Sequence, residues 1–258
     1  MRRRRSGGFK SRLIIGLIIA GFGTVRYFNQ QEVNPYTNRK QPISLSPKEE
    51  IQLGLQSAPS MAQQHGGLHP DNRLQAYVDQ VGKKLVDNSM AKSTPYQYDF
   101  HLLADNRTIN AFALPGGQIF ITYALLSKLE NEDQLAGVLG HEIGHVLGKH
   151  SNERITRSKY FQTLVMGASA IDFGAVAQQL TTGQLLKNGR EDELESDELG
   201  VIFMLNAGYD PEELIGVMKI LKKAAGPNRV PEFRSTHPDP ENRIAKIKAA
   251  IKKYKKAS

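Results

Sequence analysis

The sequence predicts an α+β fold that is mostly helical, with one small β-sheet. Three observations carry this. Apolar residues recur at helical spacing over long stretches, as in Leu74, Val78, Val81 and Leu85. Several of these stretches open on helix-start signals, such as Ser46-Pro47 followed by Glu49 and Glu50. Only three short segments, 96–103, 108–114 and 118–122, alternate like strands.

The chain opens on Arg2, Arg3, Arg4, Arg5, Lys10 and Arg12, followed by the apolar run Leu13–Val25. As a helix, that run reaches about 20 Å, against a hydrocarbon core of ~30 Å. Arg26, Tyr27 and Phe28 extend it, the arginine by snorkelling and the aromatics by sitting at the interface. No clean Ala-x-Ala site is present; Gly21 and Gly23 make only a weak one. The expectation is an uncleaved membrane anchor rather than a removed signal peptide. Either way the Arg-rich end stays in the cytoplasm and the body lies outside it, on the periplasmic or envelope side. Residues 1–28 are thus an anchor or signal segment, 29–46 a Pro- and Asn-bearing linker, and 47–258 the folded body.

Helices are expected from Ser46 to Gln64, bent or broken near Pro59, and from Asp71 to Asn88. His65 and His69 fall in the loop between them and read as solvated. The strand candidates come next, with Pro115-Gly116-Gly117 turning the chain into Gln118–Thr122. Tyr123–Glu130 is a short helix. Asn131–Lys149 is a longer one, with Asn131 as N-cap and Gln134 where a capping-box partner belongs. Residues 153–182 are helical by pattern; within them Phe161–Ile171 is an apolar stretch, interrupted by polar residues, ended by Asp172 and too short and mixed for a span. A loop is expected over 181–190, then an acidic helix from Arg190 to Met204 with Gly208 as its C-cap. Asp210-Pro211 opens another helix. Arg234–Pro240 is a loop, and a last amphipathic helix buries Ile244, Ile247 and Ile251.

The chain has no cysteine. Disulfides, thiolate ligands and cysteine nucleophiles are excluded. The net charge of +8 is concentrated at the ends: +6 in residues 1–12 and +6 in residues 241–258, leaving −4 between them. The body is therefore not a nucleic-acid-binding surface.

The chemistry lies in His141-Glu142-Ile143-Gly144-His145. On a helix the two histidines are one turn apart and point the same way. Two neutral imidazoles so placed can bind one zinc ion, and Glu142 can reach a zinc-bound water and take its proton. Zinc then needs a third protein ligand and an open position. The acidic helix offers Glu191, Glu193, Glu195, Asp197 and Glu198, and spacing alone does not choose among them.

His141-Glu-x-x-His145, with Glu193-x-x-x-Asp197 some fifty residues later, resembles the gluzincin peptidases. The string Glu193-Leu-Glu195-Ser-Asp197 is similar to the Glu-x-Glu-Ala-Asp signature of peptidase family M48, with Ser196 where alanine is usual. Asn110-Ala-Phe-Ala-Leu-Pro-Gly-Gly117 and His237-Pro238, with Arg243 six residues after the histidine, resemble that family too. The chain looks closest to its small, single-anchor Oma-like and periplasmic quality-control members. The resemblance implies a zincin-type domain with one zinc ion per chain, in which an edge strand precedes the metal helix. His141, His145 and Glu193 are then the ligands, Glu195 is the alternative third ligand, and Asp197 orients a ligating histidine.

The activity implied is that of a zinc-dependent metalloendopeptidase acting on misfolded or membrane-associated proteins, with Glu142 as the base. An extended substrate segment would add as a strand at the edge formed by Gln118, Ile119 and Phe120, near Asn110. His237 either gates the zinc or, with Arg243, stabilises the oxyanion. The competing reading is a membrane-tethered, chaperone-like protein that binds chains with little or no cutting.

Overall fold

The computed structural model describes residues 7–170, 173–224, 237 and 242–256. The architecture is α+β and mostly helical, as expected. The chain divides into two compact units, one of Met1–Ser44 with Asn152–Asn188 and one of Leu45–Ser151 with Gly189–Ser258. The division thus runs differently from the expected boundaries at 28 and 46.

In the smaller unit, helix α1 (Gly7–Asn29) leads into strands β1 (Gln31–Val33) and β2 (Lys40–Pro42). These pair as an antiparallel hairpin within the segment expected as linker. Among the described residues, α1 is the helix long and apolar enough to cross a membrane by length and composition. The arginines at 2–5 lie outside the described residues.

The larger unit begins with α2 (Pro47–Gln64). Ser46 caps it with both halves of a capping box, and the helix runs unbroken through Pro59. Asp71 caps α3 (Asn72–Asp87), whose Val78, Val81 and Leu85 are fully buried. Strands β3 (Asp99–Leu103), β4 (Ala111–Ala113) and β5 (Gln118–Thr122) form a sheet in the order β3-β5-β4. β5 is parallel to β3 and antiparallel to β4. The turn before β5 needs left-handed backbone at Gly116 (φ 81°) and Gly117 (φ 111°), which glycine adopts without a Cβ clash.

This order corrects one expectation. The strand Gln118–Thr122 is the middle of the sheet, not its edge. Its sequence is apolar almost throughout, which suits a strand covered on both sides rather than an alternating edge. The edge next to it on one side is β4.

After α4 (Tyr123–Leu126) comes α5 (Glu132–Leu147), buried on nearly every face. Leu135, Leu139 and Ile143 are wholly inaccessible. Helix α6 (His150–Ser169) is next, then α7 (Gly174–Asn206); their stretch Asn152–Asn188 belongs to the smaller unit. α7 is continuous where a loop was expected over 181–190, so the acidic residues sit mid-helix rather than at its start. The reason is physical: the stretch has no proline, and isolated glycines cost only ~1 kcal/mol each. α8 (Glu213–Ala224) and α9 (Arg243–Tyr254) complete the larger unit. Asp172, and the loop Arg234–Pro240 apart from His237, lie outside the described residues.

α5 and the second part of α7 approach closely through small residues. A Cβ at Gly144 would lie 3.0 Å from Ser196 Cα, and one at Gly140 would lie 3.5 Å from Gly200 Cα. This near-backbone contact brings the acids of α7 within reach of the histidines of α5.

Candidate metal centre

Asn131 caps α5 by accepting a hydrogen bond from the Gln134 N–H at 2.8 Å. Gln134 in turn accepts from the Glu130 N–H, one residue before the position its capping-box role predicts. The helix so fixed carries His141 and His145 on one face, their Nε2 atoms 3.0 Å apart. From α7, Glu193 brings Oε2 to 3.3 Å from His141 Nε2 and Oε1 to 3.4 Å from His145 Nε2. His237 adds Nδ1, 3.3 Å from His141 Nε2 and 3.1 Å from Glu193 Oε1. The four ligand atoms lie within 4.8 Å of one another.

The far sides of the two helix histidines are held differently. His141 donates from Nδ1 to Asp197 Oδ1 at 2.9 Å. Asp197 accepts two bonds from Arg243, from Nε at 2.6 Å and from Nη2 at 2.8 Å. His145 Nδ1 meets His150 Nδ1 at 2.8 Å, and His150 donates from Nε2 to Glu195 Oε2 at 2.7 Å. These contacts leave the Nε2 lone pairs of His141 and His145 facing each other beside a carboxylate. Such a set needs a cation. Burial opposes charge on His141, yet Asp197 and Glu193 raise its pKa to about 9: the pocket draws a proton into the place of a positive ion. Burial also opposes charge on Glu193, but the histidines around it hold its carboxyl well below the usual range. Two imidazoles and a carboxylate form a donor set suited to a zinc-type ion.

Glu142 is wholly buried, and neither carboxylate oxygen has a hydrogen-bond partner. Its nearest ionisable neighbour is His237, with Nε2 3.5 Å from Oε1. Burial raises its pKa. A buried carboxylate with no hydrogen-bond partner, beside a cation-seeking pocket, is placed to accept a proton from a molecule bound there.

Not every expected site residue joins the cluster. Arg243 is buried beside His141, gripping Asp197 and bringing Nη2 to 3.4 Å from Glu193 Oε2 and 3.5 Å from His141 Nε2. Gln118 turns to His101 Nε2 at 2.8 Å, and Phe120 stacks on Phe112 and His101. With Ile119, these residues lie on the middle strand, so Gln118, Ile119 and Phe120 do not form a sheet edge; the edge on that side is β4. Asn110 directly precedes β4, its backbone N–H and C=O both bonded to Thr122.

Sequence reasoning missed His150. It depends on Lys149, a non-glycine residue in the left-handed region (φ 54°) that ends one helix and starts the next. Gly148 leaves the room: a Cβ there would lie 2.3 Å from His150 Nε2. Glu195, the expected alternative ligand, is this histidine's partner. A His-Gly-rich helix end is the only signal the sequence offers for it.

Comparisons with known proteins agree with this geometry. The profile of Peptidase family M48 matches residues 72–251, a stretch that contains every residue of the cluster. The mitochondrial metalloendopeptidase OMA1 of Schizosaccharomyces pombe is 30% identical over 91% of this chain and 70% of its own length. That of Saccharomyces cerevisiae is 29% identical over 91% and 72%. The beta-barrel assembly-enhancing protease of Escherichia coli O157:H7 is 31% identical over 68% of this chain. The match spans 38% of that relative's length. The chain therefore belongs to Peptidase family M48 and is a metalloendopeptidase.

Proposed function

We propose that the protein is a zinc-dependent endopeptidase that cleaves extended segments of misfolded or membrane-associated proteins, anchored by α1 with its body outside the cytoplasm. The observation that carries this is the convergence of His141, His145 and Glu193 beside the Glu142 carboxylate, which has no hydrogen-bond partner. Zinc held by these three residues would supply Lewis acidity toward the scissile carbonyl and acidify the attacking water. Glu142 takes the proton of that water and delivers it to the leaving amine. Asp197 keeps His141 in the tautomer that presents Nε2, and His150 does the same for His145. Arg243 is a positioning residue that acts through Asp197.

The substrate strand adds along β4, where backbone pairing tolerates many sequences. His237 stands in the way twice. Its Nδ1 lies among the donor atoms, and its Nε2 donates to the Ala111 carbonyl of β4 at 3.2 Å. This supports the gate over the oxyanion role: His237 fills both the open ligand position and a pairing position of the edge.

The test is Glu142→Gln, measured with metal content. Proteolysis of an unfolded substrate should fall by ~10²–10⁴-fold while one zinc per chain is retained. Undiminished cleavage by the zinc-loaded variant would remove Glu142 from its role. Capture of uncut proteins by the same variant identifies natural substrates. His237→Ala should raise basal turnover; a fall would return the residue to the oxyanion.

A further inference from the structure

α1 is paired along its length with α6, within the smaller unit. Tyr27 stacks on Tyr160 with ring centroids 4.2 Å apart. Further along, a Cβ at Gly23 would meet Thr163 Cγ2 at 2.6 Å, and one at Gly16 would meet the Gly167 carbonyl oxygen at 2.6 Å. At the far end Arg12 Nε donates to the Ala170 carbonyl at 2.9 Å. The helices are antiparallel and touch backbone to backbone as far as Gly16, and the long Arg12 side chain reaches back to Ala170.

Their chemistry matches level by level. At the Tyr27 end both helices are basic and aromatic: Arg26, Tyr27 and Phe28 on α1, Arg157, Lys159 and Tyr160 on α6. A cavity of about 470 Å³ runs from here toward Phe22 and Met166, lined at this end by Arg26, Tyr27, Lys159 and Tyr160. That is the composition of a headgroup layer. Beyond it, α1 has no acid or base from Leu13 to Val25. Between Lys159 and Lys187 the sequence has one, Asp172.

Large apolar side chains are left uncovered on both helices. Ile18 and Phe22 of α1 are 64% and 69% exposed; Met166 of α6 and Phe173 just beyond it are 62% and 61% exposed. The hydroxyls in this zone are already satisfied. Thr24, Thr163 and Ser169 each donate to the carbonyl four residues earlier, at 2.8–2.9 Å. A helix in hydrocarbon needs that, because no water is there to take the bond.

We infer that α6 from Tyr160 to Ser169 enters the same bilayer as α1, as a re-entrant arm whose outer face contacts lipid acyl chains. The inference rests on the reading of α1 as a membrane anchor. Ten or so residues rise about 15 Å, half of a ~30 Å hydrocarbon core, so the arm dips in rather than spanning alone. The arm lies within the excursion that the chain makes between His150 and Glu193.

The chain's lack of cysteine makes the test direct. Single variants Ile18→Cys, Met166→Cys and Lys128→Cys are made in the full chain, reconstituted in phosphatidylcholine–phosphatidylglycerol vesicles, and treated with a water-soluble maleimide. Lys128→Cys, on the exposed body surface, should label freely. Ile18→Cys and Met166→Cys should label about tenfold or more slowly, because the thiolate is the reacting form and lipid suppresses it. A bimane on Met166→Cys, attached in detergent, should then be quenched by acyl-chain nitroxide lipids. Fast labelling at Met166→Cys with protection at Ile18→Cys overturns the arm and leaves the anchor standing. Fast labelling at both overturns the anchor and the arm with it. Protection at Met166→Cys without quenching means protein rather than lipid covers this face, and also overturns the inference.

Discussion

Helices α5 and α6 are consecutive, joined at the single left-handed residue Lys149, and they solve opposite problems. α5 is apolar and glycine-bearing, and its burial is supplied by protein on nearly every side. α6 is charged in its first half and uncharged in its second, and Met166 is left open. The lesson is that apolar surface is informative by what covers it. In α5 it fixes a rigid frame for His141, Glu142 and His145. In α6 it is matched to a solvent other than water. His150, the first residue of α6, belongs with the frame, because its ring lies against His145.

The comparison breaks most visibly on truncation. Leu139→Ala removes a side chain that no solvent reaches, and should cost about 2–5 kcal/mol in urea unfolding of the detergent-solubilised protein. Met166→Ala should cost less than about 0.5 kcal/mol under the same conditions. Equal costs would mean that the two helices are covered alike.

The next two variants sharpen the frame. Asp197→Asn should weaken zinc binding by roughly 10–100-fold in chelator competition, as loss of a histidine's outer partner does. His150→Phe keeps the ring's bulk and removes the bond to His145; it should weaken zinc binding by about tenfold. An unchanged affinity would return His150 to the exposed arm. The smallest effect is on acid stability. Burial opposes the charge on Asp105, but hydrogen bonds from Thr108, the Arg107 N–H and His65 outweigh it and hold its carboxyl well below the usual range. A depressed folded pKa contributes stability above the unfolded value of about 3.9, lost as the pH falls through it. Asp105→Asn should therefore flatten the acid limb of unfolding and leave membrane retention untouched.

What was legible in the sequence was local. Ser46, Asp71 and Asn131 announced their helices because caps act over three residues, and His141 and His145 announced a shared face because one helical turn relates them. The order of the sheet was not legible: whether Gln118–Thr122 is edge or middle depends on pairing with β3 and β4, and the strand's own residues fit either. Lys187-Asn-Gly-Arg190 read as a loop because turn residues were weighed without the helix around them. His65, expected in solvent, is buried against Asp105, whose position only the fold supplies. Glu193 needed family resemblance, since its helix carries six acids over residues 191–198 and only the packing of Gly144 on Ser196 selects the rotation.

His145 and Glu193 approach the same point from positions about 48 residues apart in a chain that has no cysteine. On the proposed reading, an ion bound to both is a cross-link. It closes a loop that contains the whole excursion from 152 to 188, and by chain entropy such a closure is worth up to ~4 kcal/mol. The clasp on this fold is then opened by chelation and is indifferent to reduction, so the protein's lifetime in an oxidising or reducing compartment depends on metal supply rather than redox state.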